Sequence, residues 1–210
     1  MVIISRVAVF PMPDKAAEVQ KVLEDYVRSN PNNIRVSLWR VILGELPTLS
    51  AVSLFDSLEE YEKNRDASLA NPDYVQAVAK VNSMARQPIT TRLATSLVDP
   101  VGEIGAGHRY TRQAIIRPTN QGQESVRSIV VDFAKGAQSD GRPLARATQA
   151  ILPHDGPAFS LMDSYQTLAE LESVMRQREG KVAQLRSSLG SNLRAPTMNR
   201  LREVIVPFGR

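Results

Sequence analysis

The sequence predicts an α+β fold in which one βαββαβ unit occurs twice in tandem. Single residues in similar hydrophobic surroundings recur 107 or 108 positions apart, for example Pro11 and Pro118, or Arg92 and Arg200. Runs rich in Val, Ile and Leu alternate with segments of helical periodicity, in the same order in both halves. A repeat of this length is a whole domain, since the units of solenoid proteins span only roughly 20 to 50 residues. We therefore expect two copies of one small fold.

The chain of 210 residues has room for two such copies, each large enough to bury a core. Residues 99–107 carry three glycines and one proline, a composition suited to a linker. We therefore place the first unit at residues 1–98 and the second unit at residues 106–210.

Composition and motifs exclude several classes of protein. The chain has no cysteine, which excludes disulfides, thiolate metal sites and cysteine nucleophiles. No apolar run reaches the length of about 18 residues that a membrane span needs. The apolar start lacks a basic leader and is interrupted by Arg6, so it predicts a strand and not a secretion signal. No phosphate-binding glycine loop or serine-hydrolase motif occurs. We expect a cytoplasmic protein with no membrane partner.

The first unit shows both kinds of periodicity and clear boundary signals. Ser57 and Glu60 form a capping box at a helix start, and Pro72 suits the first turn of a further helix. A turn containing Gly44 and Pro47 joins the two middle strands into a hairpin. The predicted elements are a strand over 2–10, a helix capped by Asp14 and ending near Ser29, strands over 35–43 and 49–55, helices from Ser57 and from Pro72, and a strand over 90–98.

The second unit repeats this order. The predicted elements are a strand over 109–117, a helix over 122–135, strands near 143–152 and 157–162, a helix capped by Ser164 and extended to Leu189, and a strand over 199–206. The copies agree in hydrophobic pattern more than in identity, as expected where geometry is retained and the surface is not.

A βαββαβ unit is the ferredoxin-like arrangement, an antiparallel sheet of four strands with both helices on one face. The first strand is apolar on both faces, because Ile3 and Val7 point one way while Val2 and Ile4 point the other. In a sheet with one solvent-exposed face, apolar and polar residues would alternate along each strand. We therefore expect the sheet of the other unit to cover the face that the helices leave open. Residues 1–105 carry a net charge of −2 and residues 106–210 one of +6, which favours docking of the copies or an acidic ligand on the second. The simpler interpretation, which we favour, is ordinary variation of solvated faces.

Two segments of the first unit resemble a known superfamily. Residues 49–75, LSAVSLFDSLEEYEKNRDASLANPDYV, and the strand VSLWRVILGEL with Trp39 are similar to NIPSNAP-type and antibiotic-biosynthesis-monooxygenase-type members of the dimeric α/β-barrel superfamily. The resemblance covers nearly all of the first unit and, more loosely, the second. It implies that two ferredoxin-like sheets pack as a barrel, here within one chain. One fold hosts many functions, so the resemblance says less about activity.

The resemblance also implies a ligand site. The monooxygenase-type relatives bind a flat, activated aromatic substrate between sheet and helices, without a cofactor, and the substrate supplies the reducing carbanion. A Trp could stack on such a ligand while an Arg holds an enolate or carboxylate oxygen. The ligand-binding residues implied in this chain are Trp39, Arg6, Tyr61 and Arg92. The alternative is that the aromatic residues belong to the core and that the arginines lie at strand ends.

The repeat places the candidate site in the first copy. On the repeat alignment Arg6 becomes Gln113, Tyr61 becomes Leu168, Trp39 falls near Ala147 or Thr148, and only Arg92 persists, as Arg200. We therefore expect the second copy to be chiefly a structural partner.

Metal and nucleic-acid sites find little support. His108 and His154 lie far apart in a predicted linker and a predicted hairpin tip, and neither has a neighbouring histidine. Arginine outnumbers lysine by 20 to 6, but aromatic residues make up only 5% of the chain and the aromatic RNA-binding pattern is missing. We expect no metal and no nucleic-acid partner.

The sequence therefore predicts a protein that binds a small, flat, apolar or acidic molecule without a tightly held cofactor. A cofactor-independent oxygenase or an isomerase-like enzyme fits this prediction. The alternative is a NIPSNAP-like protein-interaction module without enzymatic activity. The pattern names neither the ligand nor the oligomeric state, and a homodimer is compatible with it.

Overall fold

The computed structural model describes residues 2–29, 34–43, 48–101, 107–142, 144–151 and 156–208. Each half consists of a strand, a helix, two strands, a helix in two pieces and a final strand, as predicted. The first half comprises β1 (Ile3–Val9), α1 (Ala16–Ser29), β2 (Arg35–Leu43), β3 (Leu49–Phe55), α2 (Leu58–Ala70), α3 (Pro72–Ser83) and β4 (Thr90–Val98). The second half comprises β5 (Tyr110–Ile116), α4 (Gln123–Ser139), β6 (Arg146–Ile151), β7 (Phe159–Tyr165), α5 (Leu168–Gln177), α6 (Glu179–Leu189) and β8 (Met198–Val206).

The strands form one closed antiparallel barrel in the order β1-β3-β2-β8-β5-β7-β6-β4. Each half contributes a ferredoxin-like sheet, β4-β1-β3-β2 and β8-β5-β7-β6. The sheets do more than face each other, because β2 pairs with β8 and β4 pairs with β6. This pairing satisfies the edge strands of both sheets and leaves no open edge. The predicted intrachain α/β barrel is confirmed.

Strand alternation gives every strand two different faces. Val9 of β1 packs with Val19 and Val81 in a core cluster between the sheet and the helices. Ile4 and Arg6, on the opposite parity of β1, line the space enclosed by the eight strands, which we call the barrel lumen. A larger cluster around Ile116 and Phe159 fills the corresponding layer of the second half. The apolar residues on both faces of β1 are thereby explained, since neither face is left to solvent.

Helix α2 begins with the predicted cap. The Ser57 Oγ accepts the Glu60 N–H at 3.1 Å, and the Glu60 Oε2 accepts the Asp56 N–H at 2.6 Å. Helix α3 begins at Pro72, where the Asn71 side chain accepts the N–H of Asp73 at 2.9 Å. The two reciprocal bonds of α2 satisfy backbone donors that the first turn cannot pair internally.

The predicted cap of α5 is wrong. Ser164 lies inside β7, where its Oγ is 2.9 Å from that of Thr111. The cap is Thr167, whose Oγ1 accepts the Glu170 N–H at 3.1 Å, while Glu170 accepts the Gln166 N–H at 2.7 Å. The same T/S-x-x-E capping motif therefore starts α2 and α5. Its two copies lie 110 positions apart, whereas the repeated residues in the sequence lie 107 or 108 positions apart.

Two smaller differences concern helix ends. Asp14 lies in a short 3-10 turn at Pro13–Lys15 and caps no helix, so α1 starts at Ala16. Helix α4 runs to Ser139, one turn beyond the predicted end. The predicted turn with Gly44 and Pro47, the hairpin tip with His154 and most of the predicted linker lie outside the described residues. None of the described helices is both long and apolar enough to span a membrane.

An ion-pair network holds one barrel seam together. The Glu203 carboxylate of β8 accepts hydrogen bonds from Arg40 of β2 at 2.5 Å and from Arg109 at 2.6 Å. The hydrogen bonds from Arg40 are the main cause that holds the pKa of Glu203 below its usual range, and those from Arg109 add to it. Because Arg40 belongs to the first half and Glu203 to the second, this network links the two halves.

Candidate functional site

A cavity of about 310 Å³ lies between the sheet and the helices of the first half, and we call it the helix–sheet cavity. Small residues on the sheet, such as Ser5, Ala51 and Ser53, leave room beneath the helices. Helices α1, α2 and α3 bring a tyrosine each, Tyr26, Tyr61 and Tyr74. The other walls are mostly Val, Leu, Ile and Ala, which makes the space largely apolar.

The three tyrosines give the helix–sheet cavity its shape and its polar groups. The rings of Tyr26 and Tyr74 lie 5.5 Å apart between centroids, and Tyr61 packs edge-on against Phe55 at the same distance. Burial raises the pKa of Tyr26 and of Tyr74, so both hydroxyls stay protonated at neutral pH. They can donate hydrogen bonds to a ligand oxygen, but they are poor bases.

The corresponding space of the second half is nearly filled, with a cavity of only about 70 Å³. Asp163, which lines this small cavity, is bound by Arg142 at 3.0 Å, and Arg142 also binds Glu170 at 2.8 Å. Its guanidinium also stacks over Tyr165, 4.5 Å from the ring centroid. Burial opposes the charge on Arg142, but the hydrogen bonds with both carboxylates outweigh burial and raise its pKa. Where the first half has a large cavity, the second half has a small one beside a partly buried ion-pair network.

Trp39, Arg6 and Arg92 line a different cavity, of about 110 Å³, in the barrel lumen. The Arg6 guanidinium donates two hydrogen bonds to the Ser50 Oγ, at 3.0 and 3.1 Å. Trp39 is buried and its Nε1 donates to the Ser37 Oγ at 2.5 Å. Arg92 is exposed and sits directly opposite Arg6 on the neighbouring strand. The lumen cavity therefore combines one indole with several guanidinium groups.

The structure thus divides the four residues that the sequence grouped. Trp39, Arg6 and Arg92 come together in the lumen, whereas Tyr61 lies across the sheet in the helix–sheet cavity. Sequence reasoning missed Tyr26 and Tyr74 as cavity residues, although both lie on the apolar faces of predicted helices. Ligand binding by any of these residues stays a prediction.

Sequence reasoning also missed the lumen position of Arg146 and Arg202. The signal was present in β8, where Arg200 and Arg202 alternate with apolar or outward-facing residues. Among the described residues, no group of His, Asp or Glu could hold a metal ion. His108 lies close enough to Glu170 to act on its carboxylate electrostatically.

Comparison with known proteins places the chain among barrels of this kind. The NIPSNAP family model matches residues 12–96. A candidate monooxygenase from Fusobacterium nucleatum superposes with a TM-score of 0.76 at 11% identity, over 100% of this chain and 94% of that chain. A candidate monooxygenase from Lactobacillus acidophilus gives 0.66 at 11% identity, over 97% and 93% of the two chains. An anthrone oxidase-like protein gives 0.66 at 12% identity, over 97% and 91%.

These identities are so low that the likeness to the solved structures is one of fold. No curated protein matches the sequence significantly. The family match lies in the half with the helix–sheet cavity, and the solved structures share the whole tandem arrangement. The chain therefore shares its tandem α/β-barrel fold with these solved structures, and residues 12–96 of its first half match the NIPSNAP family model.

Proposed function

We propose that the protein binds a small, flat, largely apolar molecule in the helix–sheet cavity of its first half. The observation that carries this proposal is the difference between the halves, about 310 Å³ of cavity against about 70 Å³. Pockets that bind small molecules have volumes of roughly 300 to 1,000 Å³, apolar walls and a few polar groups. The helix–sheet cavity meets these criteria at the lower end of the size range, which favours a small aromatic ligand.

We further propose that the bound molecule is oxidised without a cofactor. Tyr26 and Tyr74 would donate hydrogen bonds to a carbonyl oxygen and so stabilise the enolate that forms on loss of an adjacent proton. The titratable residues of the cavity wall are tyrosines and Arg65, which is exposed and bonded to Asp66 at 2.9 Å. None of these is a good base at neutral pH, so the substrate must itself be acidic at carbon.

Anthrone has the required chemistry, and a protein of the same fold is described as anthrone oxidase-like. Its enolate is electron-rich at the ring carbon opposite the oxygen and can reduce O2 directly. In the balanced reaction, anthrone and O2 give anthraquinone and water. The ring carbon loses two hydrogens and gains one oxygen atom, while the second oxygen atom leaves with both hydrogens as water.

The test is the rate at which purified protein converts anthrone to anthraquinone in air-saturated buffer, followed by absorbance and by oxygen uptake. Tyr26→Phe and Tyr74→Phe should each lower the rate constant by roughly 10-fold or more, the effect of losing one donor to a developing oxyanion. Ala77→Phe, which fills the cavity, should abolish activity. Tyr110→Phe on β5, outside the cavity lining, is the matched control and should leave the rate unchanged.

Binding is measured separately by equilibrium dialysis with anthraquinone. Binding that Ala77→Phe abolishes, without turnover, would support the ligand site and contradict the oxygenase step. Neither binding nor turnover would favour the alternative of an interaction module. For that alternative, Leu58 and Leu69 on α2 and Val75 on α3 are exposed apolar residues on helices within the segment that the NIPSNAP family model matches.

A further inference from the structure

The barrel lumen carries a group of buried arginines that the proposed function does not use. Arg146 and Arg202 are only 6% and 4% exposed, and both line the lumen cavity together with Arg6 and Arg92. Arg200, at 9% exposure, precedes Arg202 by two positions on β8 and so shares its face of the strand. Four arginine side chains, contributed by β1, β4, β6 and β8, therefore line the lumen cavity, and Arg200 lies on the same face of β8.

Among the described residues that line this cavity, none is an aspartate or a glutamate. The charged groups that act on Arg202 are Arg6, Arg200 and Arg146, all of the same sign. One Nη of Arg202 donates to the Gln113 Oε1, but its buried Nε has no hydrogen-bond partner. A buried charge that is not compensated costs several kcal/mol, which makes this arrangement unfavourable as it stands.

Burial lowers the pKa of both Arg146 and Arg202. Burial lowers the pKa of Arg146 to about 10, and no carboxylate among the described residues offsets it. Burial and the neighbouring arginines lower the pKa of Arg202 well below its ordinary value. A guanidinium nevertheless keeps its proton in proteins at neutral pH. The buried positive charge therefore needs a negative charge that the described cavity wall does not supply.

The lumen cavity has the size and the lining for a small anion. Its volume of about 110 Å³ is several times the roughly 10 to 15 Å³ that one water molecule requires. It is too small for a nucleotide or for a drug-sized ligand. Guanidinium groups bind the oxygens of phosphates and carboxylates in fixed geometry, often through two hydrogen bonds. Thr148 and Ser160 add hydroxyl groups to the wall.

A route into the cavity is marked by charge and exposure. Arg92 is exposed, Arg6 opposite it is half-buried, and Arg146 and Arg202 are fully inside. Positive charges arranged in this order attract an anion and draw it inward.

We propose that the barrel lumen binds a doubly charged oxyanion of the size of inorganic phosphate, held among Arg6, Arg146 and Arg202 beside Trp39. The site is separated by the sheet from the helix–sheet cavity and is independent of the function proposed for that cavity. The anion neutralises the buried guanidinium groups and thereby stabilises the closed barrel.

The test compares sodium phosphate with sodium chloride at equal ionic strength in a non-phosphate buffer. Phosphate at 100 times its dissociation constant should raise the melting temperature by roughly 5 to 10 °C, because ligand that binds only the folded state shifts the unfolding equilibrium. Trp39 is the only tryptophan and lies in the cavity wall, so its fluorescence should change with the same midpoint. An equal response to chloride would mean general screening and would overturn the proposal.

Two variants make the test specific. Arg146→Met and Arg202→Met should melt at a higher temperature than the wild type in chloride, because each removes an uncompensated buried charge. Both should lose the response to phosphate. If both variants melt lower than the wild type in chloride and still respond to phosphate, these arginines are structural and the site does not exist.

Arg142→Met is the matched control, since Arg142 is largely shielded from solvent but is paired with Asp163 and Glu170. It should melt lower than the wild type in both salts and keep its response to phosphate. If this variant does not fold, Arg35→Met, which removes an exposed ion pair with Asp56, serves instead. Stabilisation by malonate but not by phosphate would contradict a phosphate-sized oxyanion and point to a dicarboxylate.

Discussion

Charged side chains of this barrel differ in whether an oppositely charged group lies beside them. Arg142 sits in the helix layer of the second half and has two carboxylate partners. Glu203 sits at the β2–β8 seam and has two arginine partners. Arg146 faces the lumen, where the described cavity wall offers no carboxylate. Since partners were available elsewhere in the same fold, the lumen arginines are better explained by an external anion than by a general tolerance for buried charge.

Glu203→Gln should lower stability in a pH-dependent manner. Its pKa is depressed in the folded state, so its contribution is present above the pKa of the unfolded chain, about 4.3 to 4.5, and is lost as the pH falls through the lower folded-state value. At pH 7 the variant should lose about 1 to 2 kcal/mol of unfolding free energy, because Arg40 and Arg109 are partly exposed and their bonds are weakened by solvent.

Urea denaturation at pH 7 and at pH 3 measures this contribution. The difference between wild type and Glu203→Gln should be smaller at pH 3. Glu172→Gln is the control, because its pair with Arg176 is exposed and within one helix, so the change should stay below about 0.5 kcal/mol. An equal loss at both pH values would show that the carboxylate charge is not what stabilises the seam.

At the scale of elements, the two halves share the same helix caps and helix breaks, but at positions that do not follow the spacing of the sequence repeat. Both second helices open with a hydroxyl cap and a glutamate three residues later, at Ser57 and at Thr167. Both are split, α2 at Asn71 before Pro72, and α5 at Arg178. The same pairing pattern then brings the last strand of each half beside the first. The repeat is therefore better described by these structural devices than by residue identity.

Thr167→Ala should destabilise the protein by about 1 kcal/mol, the usual effect of removing an N-cap hydroxyl. Thr167→Ser keeps the hydroxyl that accepts the Glu170 N–H and should stay within about 0.5 kcal/mol of the wild type. Urea denaturation measures both variants under the same conditions. If Thr167→Ala and Thr167→Ser are equally stable, Thr167 is not the functional cap.

Local patterns predicted most elements, because their causes are local. Alternating apolar residues gave β2, β3 and β4 with the observed limits, and Pro72 gave the start of α3. The α5 cap was misplaced because the chance identity S-L-x-D-S at 160–164 outweighed the T-x-x-E pattern that follows three residues later. Identity between diverged copies is weak evidence, whereas a cap satisfies specific backbone donors.

The site was predicted less well, because sheet faces are assigned by tertiary structure. Alternation alone shows that Arg6 shares a face with Ile4 and not with Val7. It does not show which of the two faces receives the helices. Only the barrel places Arg6 in the lumen and Tyr61 in the helix–sheet cavity. The meeting of arginines from four strands depends on closure between β4 and β6 and between β2 and β8, which no local pattern encodes.

At the scale of the whole molecule, the barrel is closed by backbone hydrogen bonds and not by the net charges of its halves. The seam pair runs against those charges, because Arg40 comes from the half with a net charge of −2 and Glu203 from the half with +6. Part of the excess charge of the second half lies instead inside the lumen, on Arg146, Arg200 and Arg202. The charge asymmetry therefore bears on a ligand more than on docking of the halves.

Neither half should be stable alone. Residues 1–98 would expose the edges of β2 and β4, together with Trp39 and the apolar lumen residues of their sheet, and residues 106–210 would expose the edges of β6 and β8. Unpaired edges beside an uncovered apolar face promote association with other chains. Expressed separately, each half should aggregate or form self-paired oligomers, as measured by size-exclusion chromatography with light scattering.

Expressed together, the halves should copurify in a 1:1 complex, because each supplies both edges that the other lacks. As a control for folding order, a protease site inserted after Gly107 allows the folded chain to be cut, and the two pieces should stay together until urea is added. Two separately purified halves that are monomeric, folded by circular dichroism and without affinity for each other would show that the closed barrel is not what stabilises this protein.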